Sequence, residues 1–144
     1  MLLKYQMSTE SVNEKLKNQD MTIFCLYVSK GCDFGHLVES LKNYEFNKEK
    51  NTFLIGDLNF DTSESNDLTK YMLRLQFCQL VSRATHLDGH ILDQIYALQD
   101  KSHLVEVKHH HVYYSDHDGI LVSAKEDTNI LHYHNKEPIL TYFG

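Results

Sequence analysis

The chain has 144 residues, of which 42% are apolar, with 9 tyrosines and 7 phenylalanines, and its formal net charge is −6. This length and composition indicate one folded domain with a core of its own and exclude a disordered chain. The acidic balance excludes a protein that holds nucleic acid mainly through basic side chains, although divalent cations bound at a site would supply positive charge locally.

The sequence has no apolar run long enough to cross a membrane, and no apolar segment of a signal peptide follows its first four residues. We therefore expect an intracellular protein without a membrane partner, in the nucleus or the cytoplasm. The three cysteines, Cys25, Cys32 and Cys78, have no CxxC spacing. Their odd number favours a reducing compartment and indicates no disulfide-linked partner.

The first third of the chain is predicted to contain two strands and a helix. The strands are residues 1–7 and 22–29, joined by a polar stretch, residues 8–20, that has no apolar periodicity. Residues 32–44 predict a helix with Asp33 as its N-cap. The apolar positions of this helix fall on one face: Phe34, Leu37, Val38 and Leu41.

The middle of the chain is predicted to form a short buried strand and a second helix. A charged loop, residues 43–51, precedes the apolar strand 52–56. Residues 66–77 predict a helix, with Ser65 or Asn66 as the N-cap. Its apolar positions have helical spacing: Leu68, Met72 and Leu75.

The last part of the chain is rich in predicted strands, at residues 79–82, 91–98, 104–111 and 119–124. A hairpin around residues 135–137 is predicted in the tail. Many strands with few helices predict a mixed α/β protein built as a layered sandwich.

Gly56-Asp57-Leu58-Asn59 places two polar side chains directly after a buried strand. In extended backbone Asp57 and Asn59 share a face. A carboxylate can ligate Mg²⁺ or orient a water, and a neutral amide can bind a phosphate oxygen without repelling it. The alternative is a turn in which both side chains bond to their own backbone, which is common after strands.

Ser115-Asp116-His117 lies just ahead of another apolar run, and Asp93 lies on a predicted strand with apolar neighbours. An aspartate on such a strand is costly to bury without a partner, and His117 is the natural one. An imidazole oriented by a carboxylate can transfer protons or stabilise negative charge near neutral pH, and Asp116 offers a carboxylate to a metal. The alternative is a polar turn over residues 114–119.

The three motifs GDxN, LDxxY and SDH, in this order and each beside a strand, resemble the C-terminal half of the endonuclease/exonuclease/phosphatase superfamily, which has the DNase I-like fold. Residues 55–61 and 84–93 are most similar to the endonuclease modules of mobile elements, such as non-LTR retrotransposons and Helitron-like elements. The resemblance assigns residues 1–124 to the C-terminal portion of such a domain and residues 125–144 to a tail.

This resemblance implies a DNA endonuclease that hydrolyses phosphodiesters with Mg²⁺ or Mn²⁺. It implies that Asp57 activates the attacking water and, with Asp116, ligates the metal. Asn59 is then expected to position the scissile phosphate, and His117, oriented by Asp93, is expected to act as the acid/base or charge-stabilising group.

The resemblance also implies four further contacts to the substrate phosphate or the DNA. Tyr27 matches a tyrosine that ends a strand and reaches the phosphate, although a packing role is the alternative. Where the family often has a proline or an arginine, this chain has Lys30, which is expected to contact phosphate. Thr85 and His86 are expected at the DNA-binding rim, with a local hydrogen bond as the alternative for His86.

The histidine-rich segments do not favour a structural zinc site. On a strand, His109 and His111 share one face and His110 lies on the other. His86 and His90 have helical spacing, but Gly89 disfavours a helix there. There is no cysteine pair beside them, which zinc sites of the structural kind usually have.

The resemblance implies two further residues, an upstream asparagine and a glutamate that is the principal metal ligand. Glu10 and Glu14 directly precede the second strand, which is the wrong place for them. We therefore expect an N-terminally truncated domain that binds its metal weakly, is poorly soluble and has little activity alone. Two alternatives stay open: a non-catalytic remnant of a mobile element, and a phosphoinositide or other phosphoesterase of the same fold.

Overall fold

The computed structural model describes residues 2–7, 21–43 and 51–124. These segments form two sheets and two α-helices. The strands are β1 (Leu2–Met7), β2 (Met21–Leu26), β3 (Asn51–Asp57), β4 (Phe77–Gln79), β5 (Asp93–Leu98), β6 (Val105–His110) and β7 (Gly119–Ala124). The helices are α1 (Phe34–Lys42) and α2 (Asp67–Arg74), and a 3₁₀ turn (Ser102–Leu104) leads into β6.

The larger sheet has five strands in the order β1-β2-β3-β5-β4, and β6 pairs with β7 in a second sheet. Strands β2 and β3 are parallel and are connected by a crossover that contains α1. The other pairs are antiparallel. Because β3 and β5 run in opposite directions, the end of β3 lies against the start of β5. The polar residues that follow β3 are therefore close to those that begin β5.

The molecule has three layers because side chains alternate between the two faces of each strand. On β3, Leu54 joins the core between the large sheet and the helices, while Phe53 and Ile55 join the core on the opposite face. The first core also contains Phe24, Leu26, Val38, Leu41, Leu68, Met72, Tyr96 and Leu98. The second contains Ile95, Ala97 and Val105, with Val107, Ile120 and Val122 from the small sheet packed against it.

Both predicted helix N-caps are confirmed. Asp33 Oδ1 accepts hydrogen bonds from the backbone N–H groups of Gly35 and His36, at 2.9 and 3.2 Å. Asn66 and Thr69 exchange side-chain to backbone hydrogen bonds, both at 3.0 Å, in a capping box. These contacts satisfy N–H groups that have no partner within the helix.

The predicted bounds of four elements were wrong. Helix α2 ends at Arg74 because Gln76 has a φ of +62°, which turns the chain directly into β4. Strand β4 therefore covers Phe77–Gln79 and not residues 79–82. Strand β2 ends at Leu26 and not at residue 29. Strand β5 begins at Asp93 and not at residue 91, because the N–H groups of residues 91 and 92 bond to the side chains of Asp61 and Thr85.

The other predicted elements lie within two residues of the observed ones. Residues 8–20, 44–50 and 125–144 lie outside the described residues, so the predicted polar stretch, most of the charged loop and the tail hairpin are not described. In the described segments, neither α-helix is both long and apolar enough to cross a membrane.

Candidate active site at the end of β3

The site lies at the end of the large sheet where β2 and β3 finish and β5 begins. Asp57 and Asp93 are directly opposite each other in the β3–β5 pairing. Just past β2, the Val28 N–H donates to the Asp57 carbonyl at 2.9 Å, and Asn59 Nδ2 donates to the Val28 carbonyl at 2.8 Å. Backbone pairing and the Asn59 side-chain bond to Val28 therefore bring three polar residues, Asp57, Asn59 and Asp93, to one end of the sheet.

The close approach of β2 to β3 at the end of their pairing depends on Gly56. A Cβ at this position would lie 1.8 Å from the Leu26 carbonyl oxygen, and the φ of Gly56 is +157°. A side chain would push the two strands apart at the point where the Asp57–Val28 hydrogen bond forms. The close approach of β2 thus requires the glycine of GDxN.

Asp57 and Asn59 form the turn that was the alternative to a functional role, and they still face the site. The Asn59 N–H donates to Asp57 Oδ1 at 3.0 Å, with Asn59 at a φ of +52°, a conformation that asparagine tolerates. The second contact, from Asn59 Nδ2 to Asp57 Oδ2, is 3.4 Å long. Burial raises the pKa of Asp57, the Asn59 N–H opposes this, and the charge of Asp93 raises it further.

The hydrogen bond predicted between Asp93 and His117 is present, with 2.7 Å between His117 Nδ1 and Asp93 Oδ2. An ionised carboxylate only accepts hydrogen bonds, so Nδ1 carries the proton and Nε2 is left to act on a ligand. Burial lowers the pKa of His117, but the hydrogen bond and charge of Asp93 outweigh it, helped by Asp57 and Asp116. The pKa of His117 is therefore raised, and its protonated form is favoured.

Thr85 holds the start of β5 in place beside the site. It is only 1% exposed, and its Oγ1 accepts hydrogen bonds from the N–H groups of Leu92 and Asp93, both at 3.0 Å. Its carbonyl accepts from the Asp118 N–H at 2.8 Å. Thr85 thus links Asp93 to the segment that carries His117. A contact between Thr85 and substrate stays a prediction.

His86 lies closer to the site than the sequence indicated. It forms an isolated antiparallel bridge with His117, and the two rings meet edge to face with centroids 4.9 Å apart. His86 Nε2 lies 3.5 Å from Asp116 Oδ2, and its side chain is 17% exposed. His86 Nδ1 accepts from the Asp88 N–H at 3.2 Å, which is the local hydrogen bond considered as an alternative.

Two residues that brace the site were not predicted from the sequence. Asp61 accepts hydrogen bonds from Ser63 and from the Ile91 N–H, and its Oδ2 lies 3.2 Å from His90 Nδ1. The bonds from Ser63, followed by those from Ile91 and His90, hold the pKa of Asp61 well below its usual range. The buried Gln94 donates from Nε2 to the Phe60 carbonyl at 2.8 Å. Both residues link the loop after β3 to the start of β5. In the sequence, their only link to the motifs is proximity: Asp61 follows Asn59 by two residues, and Gln94 follows Asp93 by one.

Tyr27 and Lys30 lie on the segment that follows β2. Tyr27 directly precedes Val28, which is bonded to both Asp57 and Asn59, and it is 54% exposed. Lys30 is exposed on the turn that follows. Their positions place both residues on the same segment as Val28, and their contacts to phosphate stay predictions.

Two groups of side chains among the described residues have the spacing of a cation site. One is Asp57, Asp93 and His117, and the other is His86, Asp116 and His117. Asp57 and Asp116, which the resemblance assigns to the metal, lie in different groups that share His117. The first group offers two carboxylates, and such oxygen donors fit Mg²⁺ or Mn²⁺.

The sequence matches no protein-family model and no curated protein. The structure, however, matches the endonuclease domain of TRAS1, a telomere-specific non-LTR retrotransposon, with a TM-score of 0.61 and 18% identity over 74% of this chain. The fold is DNase I-like. The chain spans 56% of the length of that retrotransposon domain. The human Nocturnin catalytic domain with bound sulfate is a further match, with a TM-score of 0.39 and 14% identity over 71% of this chain and 39% of that one.

The DNase I-like fold was the fold class predicted from the three motifs, and it is confirmed. The motifs lie where that prediction needs them, at the end of β3, at the start of β5 and just ahead of β7. The fold brings them together at one edge of the sheet.

Proposed function

We propose that this chain is a phosphodiesterase module that cleaves DNA and depends on Mg²⁺ or Mn²⁺. The observation that carries the proposal is the Asp93–His117 pair, with 2.7 Å between the two side chains, directly beside Asp57. A protonatable imidazole, an orienting carboxylate and a second carboxylate are the groups that in-line phosphodiester hydrolysis requires. The DNase I-like fold and its likeness to a retrotransposon endonuclease domain support DNA as the substrate.

His117 is assigned to the charge that develops on the phosphate and its leaving oxygen. Asp93 holds Nδ1, so the ring has one orientation and Nε2 faces away from Asp93. The carboxylates of Asp93, Asp57 and Asp116 overcome the effect of burial and raise the pKa of His117. A positively charged imidazole near neutral pH can stabilise phosphate oxygens or donate a proton to the departing one.

The carboxylates around His117 require a cation before a phosphodiester can bind. Asp57 and Asp93 form one group of donor atoms with His117, Asp116 and His86 form another with it, and within each group the atoms lie within 4.8 Å of one another. The three carboxylates therefore lie close to the same imidazole. A phosphate anion would be repelled there. Asp57 and Asp116 are assigned as metal ligands, and a bound Mg²⁺ or Mn²⁺ would supply positive charge and polarise the phosphate.

The attacking water and the phosphate are assigned to the end of β3 and the segment after β2. Asp57 accepts a proton from the water, and its raised pKa suits that role. The long Asn59 Nδ2–Asp57 contact, at 3.4 Å, leaves that N–H able to turn to a phosphate oxygen. Tyr27 and Lys30 are assigned to the phosphate from the neighbouring segment, and His86 is assigned to the DNA side. Thr85 is buried, so it is assigned to holding the start of β5 and not to contacting DNA.

A plasmid-nicking assay tests the proposal. Supercoiled plasmid is incubated with the chain, with and without Mg²⁺, Mn²⁺ and EDTA. In the fusion described below, we expect metal-dependent nicking that Asp57→Asn and His117→Ala each reduce by at least about 100-fold, as expected for loss of an acid/base or charge-stabilising group. Asp100→Asn and His36→Gln, exposed residues away from the site, serve as matched controls.

Because the chain spans 56% of the TRAS1 domain, the assay is run on the chain alone and fused in cis to the upstream half of that domain. We expect little nicking by the chain alone and restored nicking by the fusion. A fusion that binds Mg²⁺ but nicks no DNA would contradict the proposal and favour a non-catalytic remnant. Cleavage of phosphoinositides in preference to DNA would contradict the assigned substrate.

A further inference from the structure

A second cluster of metal-ligating side chains shares His117 with the candidate active site. We call it the two-histidine cluster: His86, Asp116 and His117. One ligand atom from each residue lies within 4.8 Å of the others, and His86 Nε2 is 3.5 Å from Asp116 Oδ2. The cluster thus offers two imidazole nitrogens and one carboxylate oxygen.

Each imidazole of the cluster has a carboxylate close to its Nδ1 atom. His117 Nδ1 is 2.7 Å from Asp93 Oδ2, and His86 Nδ1 is 3.4 Å from Asp88 Oδ2. Histidine ligands of metals usually donate the other ring N–H to a carboxylate, which directs the remaining nitrogen to the ion. In this structure His86 Nδ1 accepts the Asp88 N–H at 3.2 Å, so metal binding at Nε2 requires the other tautomer of the ring. The Asp88 side chain is 75% exposed, so its carboxylate can then turn to accept the Nδ1 proton.

The backbone holds the two halves of the cluster together without any ion. Besides the His86–His117 bridge, the Leu87 N–H donates to the Asp116 carbonyl at 3.0 Å, and the Asp118 N–H donates to the Thr85 carbonyl at 2.8 Å. His86 and His117 are therefore neighbours by backbone pairing, although they lie far apart in the sequence. The spacing of histidines along the chain did not favour zinc because this pairing is tertiary.

We propose that the two-histidine cluster binds a transition-metal ion, Zn²⁺ or Co²⁺, in preference to Mg²⁺. Three protein ligands that include two imidazoles suit these ions and leave a coordination position for water, whereas Mg²⁺ prefers oxygen ligands alone. The consequence for activity rests on the proposed function. An ion in this cluster takes Asp116 and Nε2 of His117, so Zn²⁺ inhibits Mg²⁺-dependent nicking.

Cobalt(II) serves as the spectroscopic probe of binding, without substrate. Co²⁺ is titrated into the purified 144-residue chain while its visible absorption is followed, and Zn²⁺ is then added as competitor. We expect one Co²⁺ per chain with the intense bands of four- or five-coordination, displaced by one equivalent of Zn²⁺ and unaffected by excess Mg²⁺. Absorption that Mg²⁺ displaces, or no absorption at all, would overturn the proposal.

Three variants and one control locate the ion. We expect Asp88→Asn to weaken Co²⁺ binding roughly 10–100-fold, as for other residues that orient a metal-bound histidine. His86→Gln should weaken binding further, and His36→Gln, a distant exposed histidine, should not change it. Asp116→Asn repeats the test without altering the His86–His117 ring contact, in case His86→Gln fails to fold. Binding that survives both His86→Gln and Asp116→Asn would refute the site.

These experiments can refute the metal site and the proposed function independently of each other. Loss of nicking by the fusion with intact Co²⁺ binding would refute the proposed function and leave the metal site standing. Mg²⁺-dependent nicking that Zn²⁺ does not inhibit, in a chain that binds Co²⁺ elsewhere, would refute the metal site and leave the function standing.

Discussion

Replacing Thr85 with valine should destabilise the protein, because it removes a buried hydrogen-bond acceptor near the site. The two side chains have nearly the same shape, but valine has no oxygen to accept the N–H groups of Leu92 and Asp93, both 3.0 Å from Thr85 Oγ1. Thr85 itself is buried, with 1% of its surface exposed. The substitution therefore removes one acceptor from two donors at once.

The expected loss of stability follows from the two N–H groups that are left without this acceptor. Leaving a buried N–H without an acceptor costs about 1–3 kcal/mol, and both donors are only partly buried, so water offsets some of the loss. We expect Thr85→Val to lower the free energy of unfolding by about 2–3 kcal/mol. Thr85→Ser keeps the oxygen and loses one methyl group, which costs only about 1 kcal/mol.

Urea denaturation measures both variants against the wild type. With an m-value of about 2 kcal/mol per molar urea, Thr85→Val should lower the unfolding midpoint by about 1 M or more, and Thr85→Ser by clearly less. No substrate is present, so an effect on stability is separated from a contact with DNA. A Thr85→Val midpoint equal to that of the wild type, or equal losses in both variants, would refute the hydrogen-bonding role.

Three further predictions concern charge and packing. Asp93→Asn should lower the pKa of His117, which NMR titration of the ring protons measures; an unchanged pKa would exclude the Asp93–His117 pair as the cause of the raised value. In the wild type, the stability gained from the raised pKa is present below the unfolded-state pKa and is lost as the pH rises through the folded-state pKa. Gly56→Ala should cost about 3 kcal/mol or more in unfolding free energy, because its Cβ would lie 1.8 Å from the Leu26 carbonyl oxygen; a wild-type urea midpoint would contradict this. Asp61→Asn should destabilise the protein at neutral pH and progressively less in acid. The lowered pKa of Asp61 stabilises the fold above the unfolded-state pKa, and this stabilisation is lost as the pH falls through the folded-state pKa. Urea midpoints measured across the pH range test the prediction, and a loss of stability that does not depend on pH would contradict it.

Regular elements were predictable where local signals decide them. Asp33 and Asn66 cap their helices as expected, because an N-cap bonds to N–H groups only two or three residues away. The start of β5, in contrast, depends on distant contacts. Strand β5 begins at Asp93 because the N–H groups before it bond to Asp61 and Thr85, which no local pattern shows.

The sequence by itself determined the identity of the polar groups and their place at strand ends. The motifs around Asp57, Asp93 and His117 predicted a DNase I-like fold through their resemblance to a known superfamily. The Asp93–His117 bond was predicted because an aspartate on a buried strand needs a partner. Only the tertiary structure decided that His86 pairs with His117. That pairing joins two segments far apart in the chain through backbone hydrogen bonds, and every residue has the same backbone groups to offer.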